Sequence, residues 1–444
     1  MSRPVENASE RHSNRIGVWL QTTGGIVGVL LLIQFLTGIL LAFYYVPSVD
    51  HAHTTVSYIE KVVSSGAWLR SLHHYGSQWL ALFAFLHVVR LFWDEAYLYR
   101  RSHWIAAVVL LALVMAGAGT GYSLPWDARA FFSTRVAEGL MGGLPFVGRY
   151  ARLWLLGGND ISTITLSRFF ALHVLVTPFA ILGVVAWRIA GKRCWSNASR
   201  NAIAAGVVFV ALALWCLKFS APLGPPVETA TAEYLPRPGA QFLWLYQSLK
   251  YVPGGLGSIS GVVLPAIGVG LLLLLPWLTI GKEDRRRLVG GVLLVGGALL
   301  IVTMTIAAHL SDRRDQRTRE QLARQISEEA AWRREPFNPV SLYSSLQSGE
   351  SKSASSDPGG PPVLYVKFCA NCHGAHGEGA RQGRLTFPPL LDVAAKPRRT
   401  VDDIVGLLKD PTAYGLEPPM RSFTEKLTEP QMKEIAAWVV RLKR

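Results

Sequence analysis

Near its C-terminus the chain reads Cys369-Ala370-Asn371-Cys372-His373. Two thiols separated by two residues, with a histidine directly after them, form the attachment signal for a c-type haem. The thiols of Cys369 and Cys372 bond the porphyrin covalently, and the His373 imidazole takes one axial position on the iron. Further on, Pro418-Pro419-Met420 offers the Met420 thioether as the second axial ligand. A His/Met pair raises the iron potential, so such a centre accepts electrons rather than supplying strongly reducing ones. The chain has four cysteines, two of them in this motif; Cys194 and Cys216 stand alone and suit neither a disulfide framework nor a zinc site.

A second set of candidates consists of histidines inside long apolar runs. His73 and His87 lie 14 residues apart. At about 100° per residue that is close to four whole turns, so both rings share one helix face, about 21 Å apart along the axis. This covers most of a hydrocarbon core about 30 Å thick. One such pair serves two haems stacked across a membrane if another helix offers matching ligands. His173 lies in a further run, within Leu166-Ser167-Arg168-Phe169-Phe170-Ala171-Leu172-His173. An ionisable residue inside a membrane span is a functional candidate, with a hydrogen-bonding structural role as the alternative. His74 is turned about 100° away from His73. His51, His53 and His103, at the ends of runs, are expected to be solvated, and His309 ends the last run.

The elements that must position these residues are membrane-spanning. Half of the 444 residues are hydrophobic and 17% are charged, which excludes a disordered chain and, with the runs, a soluble globule. Seven apolar runs are long enough to span: roughly 18–45, 72–94, 104–122, 168–190, 202–219, 258–280 and 288–309. The formal charge of +15 does not point to nucleic acid, because the cations cluster at the ends of these runs. Arg3, Arg11 and Arg15, Arg100 and Arg101, Arg188, Lys192, Arg193 and Arg200, and Lys282, Arg285, Arg286 and Arg287 all fall on one side if seven helices alternate. By the positive-inside rule that side is the cytoplasm, which places the chain in the plasma (inner) membrane as a multi-pass protein with a cytoplasmic N-terminus. Residues 1–16 are polar and carry no visible cleavable signal. The C-terminus is then outside, where c-type haem is attached. The expected fold is all-α: a polytopic bundle over 1–310 (a four-helix haem bundle at about 15–195 and a three-helix part at about 200–310), then a charged helix and flexible linker over 311–362, then a small α-helical haem domain over 363–444.

Two resemblances sharpen this. The attachment motif, followed by Gly374, Gly377 and Gly379, then Met420 and a terminal helix from Glu429 to Leu442, resembles class I cytochrome c. Over most of residues 15–310 the chain resembles cytochrome b of the cytochrome bc quinol-oxidising complexes, above all the seven-helix form that photosynthetic membranes split into two subunits. The resemblance rests on Gln34-Phe35-Leu36-Thr37-Gly38, on Gly66-Ala67-Trp68-Leu69-Arg70-Ser71-Leu72-His73 and on Phe85-Leu86-His87-Val88-Val89-Arg90. It also rests on Gly121-Tyr122-Ser123-Leu124-Pro125-Trp126 and on Gly143-Leu144-Pro145-Phe146-Val147-Gly148. It implies that His73 and His173 ligate a haem b near the outer face. It implies that Gly38 and Gly121 let porphyrin lie close to backbone, and that Arg70 and Arg90 pair with haem propionates. The implied substrate is quinol. The implied partners are a Rieske iron–sulfur protein or other respiratory subunits, and a soluble or membrane cytochrome c or terminal oxidase, in a dimer or larger complex.

Three positions depart from that pattern. A partner for His87 is expected 14 or 15 residues after His173, where Trp187 and Arg188 stand. A glycine expected early in the third helix is Ala107. The Pro-Glu-Trp-Tyr motif, whose carboxylate accepts a quinol proton, corresponds to Pro238-Gly239-Ala240-Gln241, leaving Gly239 and Gln241 at the degenerate positions. The expected cofactors are therefore one covalent haem c and one haem b, with a second haem b on His87 either absent or five-coordinate. Two functions follow. One is an electron-transfer subunit of a quinol:cytochrome c oxidoreductase-like complex that lacks a complete Q cycle of its own. The other is a catalytically reduced scaffold that anchors a cytochrome c domain beside an active cytochrome b paralogue.

Overall fold

The computed structural model describes residues 22–189, 198–227, 234–252, 256–278, 283–337, 362–374, 376–382, 385–387, 389–391, 400–414, 422–424 and 427–442. They fall into two compact units, Met1–Val227 with Leu235–Ser341, and Glu228–Tyr234 with Leu342–Arg444.

The first unit is a helical bundle. Its N-terminal half consists of α1 (Thr23–Ala42), the short amphipathic α2 (Ala52–Lys61), α3 (Gly66–Trp93), α4 (Arg101–Tyr122), the surface helices α5 (Ala128–Gly142) and α6 (Gly148–Leu156), and α7. Helix α7 runs as Thr163–Ala171, a π-turn at Leu172–Val176, then Thr177–Ile189. Helix α1 packs on α3, α3 on α4, and α4 on α7, while α8 (Ala198–Lys218) covers α1 and α3. Leu30, Leu72, Leu80, Ala84 and Leu212 knit this core, each nearly or fully buried. The second half is α9 (Ala240–Leu249), α10 (Leu264–Leu274 after a π-turn at Ile259–Val263) and α11 (Glu283–Gly291, a π-turn at Val292–Gly296, then Gly297–Arg314).

Among the described residues, six helices are long and apolar enough to cross a membrane. Helix α3, the second run read from the sequence, is not among them. Its 28 residues extend about 42 Å, more than a hydrocarbon core. Arg70, His73, His74 and Arg90 lower its mean hydropathy. The chain is a multi-pass membrane protein.

The charged helix expected to open the linker instead belongs to the bundle. Asp315 caps α12 (Gln316–Arg334), accepting from Thr318 N at 3.1 Å. Helix α12 then lies across the loops at the end of the bundle that carries His73. Glu329 pairs with Arg129 at 2.9 Å and accepts from Leu223 N at 3.0 Å. Arg333 donates to the Ala221 carbonyl. Lys61 donates to the Trp332 carbonyl at 2.8 Å and sits 3.8 Å over its ring. His53, expected to be solvated, is buried instead: its Nε2 lies 2.8 Å from the Gly224 carbonyl and its ring 5.0 Å from Trp332. The reason is the amphipathic face of α2, which packs under α12.

The second unit is built from α13 (Val363–Phe368), α14 (Ala370–His373), α15 (Val401–Lys409) and α16 (Glu429–Arg441). A small antiparallel hairpin, β1 (Ala380–Gln382) with β2 (Leu385–Phe387), is its only sheet among the described residues. Helices α15 and α16 pack through Ile404, Leu408, Met432 and Ile435. Tyr365 of α13 is fully buried against Trp438 of α16, ring centres 4.4 Å apart.

Candidate functional site

At one end of the bundle His73 on α3 and His173 on α7 face each other. Their ring centres are 5.9 Å apart and their planes differ by 80°. Each ring is fixed through Nδ1. The Thr37 hydroxyl donates to the Ile33 carbonyl at 2.6 Å, so its oxygen accepts from His73 Nδ1–H at 2.9 Å. His173 Nδ1–H donates to the Gly117 carbonyl at 2.9 Å. This tautomer leaves the Nε2 lone pair of each ring available for a metal.

Glycines permit this approach. A Cβ on Gly38 would stand 3.1 Å from His73 Cε1, and one on Gly121 would stand 2.5 Å from His173 Cε1. The resemblance explained these glycines by porphyrin; in the structure they also clear the rotamers of the two imidazoles. Beside them lies a cavity of ≈430 Å³, within the range of cofactor sites, lined by His73, His173, His74, Tyr122, Asp127 and Gln241 among others. Gln34 Nε2 and Gln241 Oε1 are buried there without a hydrogen-bond partner among the described residues. Orphaned buried polar atoms of this kind mark a site built for a bound group. Arg70 lines the same cavity, but its guanidinium is engaged. It pairs with Glu60 at 2.7 Å and donates to the Ala221 and Pro222 carbonyls at 2.5 and 3.2 Å. Arg70 thus ties α3 to α2 and to the 221–222 loop, and a propionate contact would add to that role or replace part of it.

The other end repeats the pattern. Thr23 Oγ1 lies 3.1 Å from His87 Nδ1, and a Cβ on Gly24 would stand 3.2 Å from His87 Cε1. The chain contains three Thr-Gly dipeptides, Thr23-Gly24, Thr37-Gly38 and Thr120-Gly121. Each lies against one histidine: His87, His73 and His173. The sequence reading used Gly38 and Gly121 and missed Gly24 and the three threonines. The repeat of Thr-Gly at the 14-residue spacing of His73 and His87 was the available signal.

The fourth corner is different. The π-turn at Leu172–Val176 adds one residue to a helical turn, so the position that falls in register with His173 moves from 187 to 188. Ile181 is buried, and Val184 and Val185 pack on the same core. Arg188 continues that stripe at helical spacing, whereas Trp187 is 52% exposed. Register therefore puts Arg188, not Trp187, on the core side of α7 at the His87 end. Opposite it, 14 residues before Gly121, Ala106-Ala107 replaces the Thr-Gly pair, and Ala107 is buried. Arg90 pairs with Asp94 at 3.0 Å. At the degenerate quinol positions, Gly239 precedes α9, and Gln241 is one of the residues lining the cavity.

In the second unit the attachment motif forms α14. Cys369 is buried, and Tyr365, whose hydroxyl is held above its ordinary pKa by burial, donates to the Gly374 carbonyl at 2.8 Å. Gly374 and Gly377 adopt φ of +83° and +80°, a left-handed backbone that turns the chain sharply after His373. Met420 and the Cys372 side chain lie outside the described residues.

Residues 8–190 match the family model for cytochrome b/b6/petB, and residues 362–443 match that for cytochrome c. The chain is 37% identical over 165 residues to the menaquinol:cytochrome c reductase cytochrome b subunit of Geobacillus thermodenitrificans, covering 37% of this chain and 74% of that protein. It is 31% identical over 290 residues to cytochrome b of Rickettsia prowazekii, covering 60% of this chain and 72% of the relative. A solved structure described as a hyperthermophilic respiratory Complex III shares the fold, with a TM-score of 0.52 and 22% identity over 65% of this chain and 84% of the other. By these likenesses the chain belongs to the cytochrome b family, with a cytochrome c domain at its C-terminus.

Proposed function

We propose that this chain is the membrane electron-transfer subunit of a respiratory quinol:cytochrome c oxidoreductase-like complex. The observation that carries the reading is the His73–His173 pair, with ring centres 5.9 Å apart, planes 80° apart and both Nδ1 atoms hydrogen-bonded. His73 and His173 would hold a haem b in the four-helix bundle, and Cys369, Cys372, His373 and Met420 would hold a haem c in the C-terminal unit. When bound, the haems supply one-electron redox chemistry; the chain positions them and the quinol.

The His73 end faces the outer side and the N-terminus the cytoplasm, consistent with the cation distribution. Quinol binds in the cavity beside His73 and His173. There the unpaired Gln241 amide oxygen accepts a hydrogen bond from a quinol hydroxyl. An amide is no proton acceptor at neutral pH, so protons leave through the titratable groups of that wall, His74 and Asp127, or through a partner subunit. With Gly239 and Gln241 in place of the expected motif and Arg188 opposite His87, the chain runs no complete Q cycle unaided. A Rieske iron–sulfur protein or another respiratory subunit, a cytochrome c or terminal oxidase as acceptor, and a dimeric or larger assembly complete the reading. Arg188 and Gly239 also favour a second reading, a reduced scaffold that anchors the haem c unit beside an active paralogue.

Anaerobic mixing of the purified full-length protein with a quinol separates the two. Electron transfer predicts reduction of the b-type band followed by the c-type band, both slowed by Gln241→Leu. A b-type band that stays oxidised under quinol, yet is reduced by dithionite, would overturn it in favour of the scaffold.

A further inference from the structure

The unusual feature of the bundle is the corner opposite His87. Three times the bundle sets a Thr-Gly dipeptide against a histidine. The threonine oxygen lies 3.1 Å from His87 Nδ1, 2.9 Å from His73 Nδ1 and 3.5 Å from His173 Nδ1. At the fourth position ligand and dipeptide have changed together: Arg188 stands for histidine and Ala106-Ala107 for Thr-Gly. If the glycine's work is to clear a ligating imidazole, it is dispensable where there is no imidazole. The loss is therefore confined to one ligand. His87 keeps its threonine, its glycine and its orientation, as a ring does whose Nε2 is directed at a metal.

Arg188 cannot replace the missing ligand. A guanidinium stays protonated in proteins and has five N–H donors with no free lone pair. It is instead a donor set for something placed between it and His87. Arg90, the other guanidinium at this end, is already held by Asp94 at 3.0 Å.

We propose that the His87 end holds a haem ligated by His87 alone, whose opposite iron position faces Arg188 and takes a small exogenous diatomic ligand such as carbon monoxide or cyanide. This inference rests on the reading of the His73 end as a haem b site. The guanidinium donates hydrogen bonds to the distal atom of the bound ligand, which is the means by which distal donors select ligands on an open iron position. The two b sites of one chain are then unequal: one saturated by His73 and His173, one open.

The test uses the full-length protein in detergent, with carbon monoxide as the probe. Expected are about two b-type haems per c-type haem, a high-spin ferric signal, and a carbon monoxide adduct on one of the two b haems after dithionite reduction. His87→Ala should lose that haem and the adduct, with the c-type band unchanged. Arg188→His, which restores a second imidazole, should keep the haem count, abolish the adduct and convert the high-spin signal to low-spin. One b haem per c in the parent protein overturns the proposal. So do two b haems with no adduct, as when another side chain, such as His103 of α4, fills the position, and so does an adduct confined to the c-type band. Absence of every b-type haem would instead strike the reading on which the proposal rests, and His73→Ala distinguishes the two by removing only the low-spin b signal.

Discussion

At the scale of single residues, the account places the chemistry in imidazoles whose orientation is fixed from behind. Thr37 accepts from His73 Nδ1–H, which makes the ring a stronger electron donor through Nε2 and favours ferric iron. Thr37→Val removes that acceptor. A buried neutral hydrogen bond contributes about 1 kcal/mol, so the haem b midpoint should rise by about 40 mV, read by redox titration. An unchanged or lower midpoint would contradict the assignment. Gly121→Ala provides a sharper sign test. Alanine is the better helix former by about 1 kcal/mol, so helix propensity alone predicts a more stable protein. The added Cβ, however, would stand 2.5 Å from His173 Cε1, and overpacking of this kind costs about 1–3 kcal/mol. The expected outcome is a protein that retains haem c and loses the b-type haem of the His73–His173 site. The histidines, the glycines beside two of them and the attachment motif were legible in the sequence because residue type and a 14-residue spacing suffice to mark them. The threonines were not: a threonine in an apolar helix usually bonds its own preceding turn, and only the packing of α1 on α3 shows that Thr37 does this and holds His73 as well.

At the scale of elements, α12 departs most from the sequence reading. Its alternating charges read as a solvated helix leading into a linker, because periodicity cannot say which charges find partners. In the structure Glu329 reaches Arg129 and the Leu223 amide, with side chains only 16% and 28% exposed for the pair. Glu329→Ala should weaken the docking of α12 by about 1–2 kcal/mol, between the values for exposed and buried pairs. Limited proteolysis in membranes should then cut within 316–334 faster than in the parent protein, and equal rates would show that α12 is held by other contacts. The π-turn of α7 was equally hidden, since no residue type announces it. Yet it puts Arg188, not Trp187, on the core side of α7. In the C-terminal unit, carboxylates steady the helix ends. Asp410 is held below the ordinary carboxylate pKa by the Thr412 hydroxyl, and Glu429 by Lys409 and Lys433. A depressed folded-state pKa gives stability that is present above the unfolded value and lost as pH falls through the folded one. The thermal midpoint of the c-type Soret signal should therefore hold steady from neutral pH down to about 5 and fall below the ordinary values of 4.5 and 3.8. A midpoint that is flat through that range would remove these groups from the account.

At the scale of the whole molecule, one chain joins a helical bundle with a histidine pair at one end to a cytochrome c domain. Its helical character, two-part organisation and membrane class were all legible, because apolar runs of spanning length and a five-residue motif are strong signals. Helix α3 is legible only with its polar residues explained, since the groups that lower its hydropathy are those that make the site. The topology proposed from the cations predicts that protease added to the outer surface of spheroplasts releases the C-terminal unit with its haem c, and release only after lysis would reverse it. The claim on which the rest depends is that His73 and His173 together hold one low-spin haem b. It is tested most directly by pyridine haemochrome analysis and electron paramagnetic resonance of His73→Ala and His173→Ala beside the parent protein. The account predicts that each substitution removes one b-type haem and its low-spin signal while haem c stays at the parental level. Retention of that b-type signal in either variant would contradict it.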